Sequence, residues 1–219
     1  MSVQQMPCGY DVLGAEKNVG RRSFDKGLEQ ENNAGGLNML TGNEIKIQVH
    51  SGRLVIQPFD EDCIGPNSYD VRLGDELFVY DETVLDVRRK NRGHTIKIPP
   101  EGIVLRPGKL YLGSTVEFTD NPDYIPMYEG RSSLGRLGVC SHITAGFGDL
   151  GFRGKWTLEI SVVEPIRIYA GIRIGQLYWH KPDGENLQRY AGKYQDQASI
   201  TASRAYADRE WRTEDENGF

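Results

Sequence analysis

The segment EGRSSLGRLG at positions 129–138 combines residue types that bind anions. Ser132 and Ser133 precede leucines at helical spacing, which predicts a short helix whose first turn exposes backbone N–H groups and serine hydroxyls. Arg131 and Arg136 add guanidinium groups that suit phosphate oxygens or a polarised carbonyl. The alternative, an N-capping serine beside solvated arginines, is the more common structure for such a decapeptide.

A second candidate group lies in GKWTLEISVV at positions 154–163. Apolar and polar residues alternate there, which predicts a β-strand with one apolar and one polar face. Glu159 belongs to the polar face. The alternation alone favours a solvated glutamate, and a catalytic carboxylate is the alternative.

The segment TAGFGDLGF at 144–152 precedes this strand. We interpret it as a glycine-rich hairpin that lets the backbone approach a ligand closely, with Asp149 at its tip. Asp149 is equally an ordinary turn former.

The segment GKYQDQ at 192–197 contains Lys193, Tyr194 and Gln197. These residues offer a cation, an aromatic ring and an amide, which are groups suited to a flexible flap over a nucleotide. A polar loop without such a role is the alternative.

Length and composition restrict the class of protein. A chain of 219 residues is sufficient for one well-buried domain. Its net charge of −5 argues against a general binder of nucleic acid or of membrane surfaces. The sequence contains neither an apolar run long enough to span a membrane nor a secretory signal, which predicts a cytoplasmic protein.

Cysteine and histidine spacing indicates neither disulfides nor a metal site. Cys8, Cys63 and Cys140 are widely separated and are interpreted as reduced thiols. The histidines do not fall at metal-ligand spacing and are interpreted as ordinary surface or core residues. They are His50, His94, His142 and His180.

The elements that must position these groups are mostly strands. Residues 1–38 lack apolar periodicity and are predicted to be a disordered or non-core extension. A T-x-x-E capping box at 41–44 predicts a short helix over about 42–51. Short β-type runs broken by glycine and proline then predict an all-β barrel or jelly-roll. The domain is placed at 39–205, and the acidic stretch 206–219 is interpreted as a tail.

Several segments, in order along 39–205, resemble the dCTP deaminase branch of the dUTPase superfamily. They are SGRLVIQPF, PNSYDVRLGDEL, EGRSSLGRLG, TAGFGDLGFRGKWTLEI, GIRIGQLYW and GKYQDQ. The resemblance implies a mainly β, dUTPase-like distorted barrel or jelly-roll (β-clip) with short helices. It also implies a homotrimer with active sites between subunits. The implied reaction converts dCTP to dUTP and ammonia, which supplies dUTP for dUMP and dTTP synthesis.

The resemblance also implies the site residues. Glu159 takes the position of the general base, and Ser132 and Arg136 match the groups that hold the water and stabilise charge at C4. Ala145 would line the cytosine, and Asp149 matches the residue at the deoxyribose 3′-hydroxyl. The remaining positions match substrate contacts, mainly to the phosphates: Arg131, Ser133, Gln176, Lys193, Tyr194 and Gln197. Mg²⁺ is expected with the triphosphate and zinc is not, because the zinc deaminase signature is absent.

Two positions depart from the family pattern. Leu150 stands where proline is common, and Asp196 stands where glycine or asparagine is more usual. A carboxylate near a triphosphate is unfavourable unless Mg²⁺ intervenes or the carboxylate points outward, so Asp196 puts the flap contacts in doubt.

Other functions on this fold stay open. A bifunctional enzyme would deaminate dCTP and then cleave dUTP to dUMP and pyrophosphate. A dUTPase would cleave only, using an aspartate at a position like Asp149, and a sensor would bind nucleotide without turnover. We expect dTTP to inhibit, because it shares the sugar and triphosphate of dCTP.

Overall fold

The computed structural model describes residues 38–184, 188–208 and 210. Positions 1–37 of the predicted extension over 1–38, and most of the predicted tail over 206–219, lie outside these residues. The domain boundaries at 39–205 therefore stay predictions.

The predicted N-terminal helix is present as α1, Gly42–His50. Thr41 is its N-cap, and the Thr41 hydroxyl accepts a hydrogen bond of 3.3 Å from the Glu44 amide. The Glu44 carboxylate, which a full capping box directs at the N-cap amide, accepts a bond of 2.6 Å from the Gln48 side chain. Within the described residues, no helix has the length and apolar composition needed to cross a membrane.

The fold is mainly β with few helices, as predicted. The strands are β1 (Val55–Gln57), β2 (Tyr69–Arg72), β3 (Glu76–Tyr80), β4 (Gly93–Lys97), β5 (Ile103–Leu105), β6 (Tyr111–Asp120), β7 (Ile125–Gly130), β8 (Val139–Cys140), β9 (Arg153–Val162), β10 (Ile166–Ile168) and β11 (Arg173–His180). A six-stranded sheet has the order β4-β3-β6-β9-β8, with β1 added at β6, and the other sheets are β2-β11-β7 and β10-β5. In the part of the chain that the structure describes, these sheets do not close into one barrel.

Short helices complete the fold. The helix predicted after Arg131 is present as α2, Ser132–Gly135, between β7 and β8. Two 3₁₀ helices span Glu61–Cys63 and Ala205–Ala207.

Strand β9 carries the predicted alternation. Its apolar side chains are buried in the core: Trp156, Leu158, Ile160 and Val162. The intervening residues are half-buried, and Glu159 lies opposite Leu112 of β6. The strand thus holds Glu159 on the face that is not packed into the core.

The segment that precedes β9 runs alongside β7 and is not a hairpin on its own. Tyr128 N–H donates to the Gly146 carbonyl at 2.7 Å, and Gly148 N–H donates to the Pro126 carbonyl at 2.9 Å. These glycines allow close approach of the protein's own backbone and of the Trp156 ring, and the approach of a ligand to them stays a prediction. A Cβ added at Gly146 would lie 2.5 Å from the backbone carbonyl oxygen of Tyr128, and a Cβ added at Gly148 would lie 2.6 Å from the Trp156 ring.

Gly148→Ala should therefore lower the free energy of unfolding by about 1–3 kcal/mol, the usual effect of overpacking a core. Gly135→Ala is the matched control, since a Cβ at Gly135 meets nothing within 4 Å. Urea denaturation of both variants tests this, and equal stability of the two would contradict the packing constraint.

Candidate active site

A cavity of about 400 Å³ lies against β9. Its wall includes residues of β9, of the 142–149 segment that precedes it and of the chain after Tyr190. The lining includes His142, Ala145, Phe147, Asp149, Trp156, Thr157, Glu159, Tyr190, Tyr194 and Gln197.

A carboxylate and an imidazole meet in this cavity. The Glu159 side chain is 29% exposed, whereas the His142 side chain is 8% exposed. His142 Nδ1 forms an ion-pair contact with Glu159 Oε2. The His142 ring also meets the edge of the Tyr128 ring, with centroids 5.2 Å apart.

The surroundings of His142 favour its protonated form. Burial lowers the pKa of His142, but the hydrogen bond and charge of Glu159, together with a backbone bond to Ala145, raise it further than burial lowers it. The net pKa is above the ordinary histidine value. A carboxylate fixed in this way beside an imidazolium can accept a proton from a bound water.

The interpretation of His142 as an ordinary histidine missed this contact. The two residues are far apart in sequence, and no spacing rule joins them. The segment HITAGFG was the available signal for this contact. It connects β8 to β9, so the chain runs alongside Glu159 before it begins β9.

The 142–149 segment forms the rim of the cavity. Ala145, Phe147 and Asp149 line it, and Phe147 is 64% exposed. Asp149 starts the turn into β9, with its carbonyl accepting a bond of 3.1 Å from Phe152 N–H. Phe147 and Asp149 also line a neighbouring cavity of about 670 Å³.

The GKYQDQ segment lies against β9 beside the cavity. Lys155 N–H donates to the Gln197 carbonyl at 2.9 Å, and Gln197 Nε2 donates to the Lys155 carbonyl at 2.6 Å. Further on, Thr201 N–H donates to the Thr157 hydroxyl at 3.1 Å. These bonds bring Tyr194 and Gln197 to the cavity wall.

The backbone conformation of Asp196 explains why glycine or asparagine is more usual at this place in the family pattern. Its φ is +61°, in the left-handed region that glycine and asparagine enter most easily. Its carboxylate accepts a 2.5 Å bond from Arg153 Nε, and this bond lowers the pKa of Asp196. Asp196 is exposed and does not line the cavity, so its charge is directed away from it.

The remaining predicted residues do not line the cavity. Ser132, Ser133 and Arg136 are exposed on and just after α2. Arg131 Nη2 lies 3.3 Å from an Asp70 carboxylate oxygen. Gln176, on β11, accepts a 3.1 Å bond from Ser68, and Lys193 pairs with Asp208.

The structure thus divides the predicted site into two groups. Glu159, Ala145, Asp149, Tyr194 and Gln197 come together at the cavity. The described residues that line it include none of the other six: Arg131, Ser132, Ser133, Arg136, Gln176 and Lys193.

The fold and the cavity define a mainly β protein with a carboxylate of strand β9 and an imidazole of the preceding segment paired at one cavity. The sequence model of the dCTP deaminase-like family matches residues 39–181. The chain therefore belongs to the dCTP deaminase-like family, and the prediction of an enzyme of this family is confirmed.

Individual proteins agree with this assignment. The chain is 53% identical over 170 residues to a Clostridium acetobutylicum protein named dCTP deaminase, dUMP-forming, covering 78% of this chain and 98% of the relative. A Leptospira biflexa protein of the same name is 50% identical over 170 residues, covering 78% and 97%. The crystal structure of 2′-deoxycytidine 5′-triphosphate deaminase from Agrobacterium tumefaciens has the same fold, with a TM-score of 0.55 at 22% identity. That match covers 67% of this chain and 49% of the solved one.

The His142–Glu159 contact predicts a pH-dependent stability. Because the pKa of His142 is raised on folding, its stabilisation is fully present below the unfolded histidine pKa of about 6.5 and is lost as the pH rises through the raised value. His142→Gln should therefore lower the free energy of unfolding by about 1–3 kcal/mol when the pH is below about 6.5, and by less at alkaline pH.

Urea denaturation across this pH range measures the difference. His94→Gln is the control, because His94 contacts Asp81 in a comparable pair that is 57% exposed on the histidine side and should matter little. A pH-independent loss for His142→Gln would show that the contact does not hold an imidazolium.

Proposed function

We propose that this protein is a homotrimeric, dUMP-forming dCTP deaminase. It would hydrolyse dCTP to dUTP and ammonia, and then hydrolyse dUTP to dUMP and pyrophosphate. The observation that carries the proposal is the Glu159–His142 pair in a cavity that also holds Asp149. The names of the relatives at about half identity support the second step, and favour this alternative over release of dUTP.

Deamination follows from the position of Glu159. In the proposed reaction, Glu159 takes a proton from water as the hydroxide adds to C4 of cytosine. The carboxylate passes this proton to the ring nitrogen N3 and then moves the proton of the new C4 hydroxyl to the amine. The bond from C4 to the amine breaks, ammonia leaves, and the C4 carbonyl of uracil forms. His142 holds one carboxylate oxygen, which leaves the other oxygen for the water. His142 acts here as a positioning residue.

Ser132 and Arg136 would act from a neighbouring subunit. Both are exposed, although the proposed chemistry needs them at the water and at C4. Beside them, Leu137 is 58% and Val163 is 72% exposed, and Val163 N–H bonds the Gly138 carbonyl at 2.9 Å. Exposed apolar side chains grouped in this way mark a contact surface. We propose that α2 of one subunit completes the cavity of the next.

The phosphates would be held by the basic and amide groups around the cavity. Lys193, Tyr194 and Gln197 belong to the segment on β9, and Arg131 and Ser133 accompany α2. Gln176 on β11 is a further proposed contact. The carboxylates at the cavity, Glu159 and Asp149, are assigned to the base and the sugar. Mg²⁺ favours oxygen donors, and the triphosphate oxygens would therefore bind it in place of protein side chains.

Product analysis tests the proposal. The protein incubated with dCTP and Mg²⁺ should release ammonia and pyrophosphate in equal amounts, with dUMP as the nucleotide. The proposal gives Asp149 a second role besides its sugar contact, which is to activate the water that attacks dUTP. Asp149→Asn should therefore slow pyrophosphate release more than ammonia release, so that dUTP accumulates, because the amide can still bond the sugar hydroxyl but cannot take a proton from water. Ammonia with dUTP from the unmodified protein would identify the deaminase that releases dUTP. Bound, unchanged dCTP would identify a sensor.

The proposed site also predicts inhibition by dTTP. Thymine replaces the reactive amine by a carbonyl and adds a methyl group, but the contacts assigned to Asp149, Arg131 and Lys193 do not distinguish it. Initial-rate measurements of ammonia release with increasing dTTP should show inhibition. Sigmoidal dCTP kinetics would indicate a shift of the 142–149 segment, and a raised KM alone would indicate competition. Insensitivity to dTTP well above the dCTP KM would contradict the assignment of these contacts.

A further inference from the structure

Lys193 is already bound to a carboxylate. Its Nζ lies 2.6 Å from Asp208 Oδ1 and 2.5 Å from Asp208 Oδ2, so both oxygens are within hydrogen-bonding distance. The two side chains are 30% and 39% exposed. The hydrogen bond to Asp208 is the main reason why the pKa of Lys193 is raised, which keeps the ammonium charged.

The neighbouring chain fixes the position of Asp208. Arg204 Nη1 donates to the Lys193 carbonyl at 2.6 Å, and Arg204 N–H donates to the Tyr194 hydroxyl at 3.0 Å. The 3₁₀ helix Ala205–Ala207 then turns the chain, and Asp208 N–H closes the turn on the Ala205 carbonyl at 2.9 Å. This turn therefore positions the Asp208 side chain beside Lys193.

A carboxylate and a phosphate present the same feature to an ammonium group, which is a pair of anionic oxygens at hydrogen-bonding distance. We propose that Asp208 occupies the phosphate position on Lys193 in the nucleotide-free subunit and has to be displaced when the triphosphate binds. Asp208 is thus an intramolecular competitor that weakens nucleotide affinity. This inference rests on the proposed function, in which Lys193 contacts the triphosphate.

Asp196 shows that this role is specific to Asp208. Both carboxylates belong to the C-terminal segment, but Asp196 is bound to Arg153, which is not a proposed phosphate contact. Neutralising Asp196 would remove a link between this segment and β9. Neutralising Asp208 would free the cation that the nucleotide needs.

The expected effect is moderate. When only part of the population has a free Lys193, the apparent Kd equals the intrinsic Kd divided by that fraction. The pair is partly exposed, so its strength corresponds to roughly a two- to fivefold change in affinity.

Asp208→Asn keeps the size of the side chain and removes its charge. It should tighten binding of inorganic tripolyphosphate, measured by calorimetry, and lower the KM for dCTP, each by roughly two- to fivefold. Glu210→Gln is the matched control, since it removes the same charge two residues further along at an exposed position. It should change neither value. Asp208→Ser is a second variant for the same measurements.

The dependence on Lys193 distinguishes competition from a general charge effect. In a Lys193→Ala background, Asp208→Asn should have no effect on tripolyphosphate binding. Unchanged or weaker binding in both Asp208 variants would overturn the inference, and so would a gain that persists without Lys193.

These outcomes separate the inference from the proposed function. Lys193-dependent tightening of tripolyphosphate without any release of ammonia from dCTP would retain the inference and reject the function. Normal turnover with no gain in either Asp208 variant would reject the inference alone.

Discussion

The antiparallel pairing of β6 with β9 is the constraint on which the site depends. It commits alternate residues of β9 to the core and thereby holds Glu159 on the opposite face. The buried Trp156 ring in turn leaves no room for a side chain at Gly148, which brings the 142–149 segment close to the strand. His142 reaches Glu159 because of this close approach. The contact between His142 and Glu159 is therefore a consequence of core packing.

Several carboxylates outside the cavity are paired with cations. Asp196 is a bound partner of Arg153, and Asp70 lies beside Arg131. Opposite charges hold both carboxylates in place, so each cation also positions a segment of backbone. For the proposed enzyme, such pairs have two effects. They order the surroundings of the triphosphate, and they must be weak enough for phosphate to replace a carboxylate where the two compete.

Local patterns in the sequence predicted the elements, and tertiary contacts decided the rest. Alternation placed Glu159 on the correct face of β9, and the capping residue Thr41 located the start of α1. The role of Gly148 was not predictable, because Trp156 becomes its neighbour only after the sheet forms. The contact of His142 with Glu159 was missed for the same reason. The family resemblance grouped α2 with the cavity residues, although the side chains of α2 do not line the cavity of a single subunit.

This separation leads to the central claim, that each active site combines the cavity of one subunit with α2 of another. Mixed trimers test it most directly. Glu159→Gln subunits lack the base and Arg136→Ala subunits lack the guanidinium. Trimers made of either variant alone should therefore release no ammonia from dCTP. Random trimers formed from equal amounts of the two should recover about a quarter of the unmodified activity, because one pairing in four joins an intact cavity to an intact α2. A mixture as inactive as either parent would contradict the shared site.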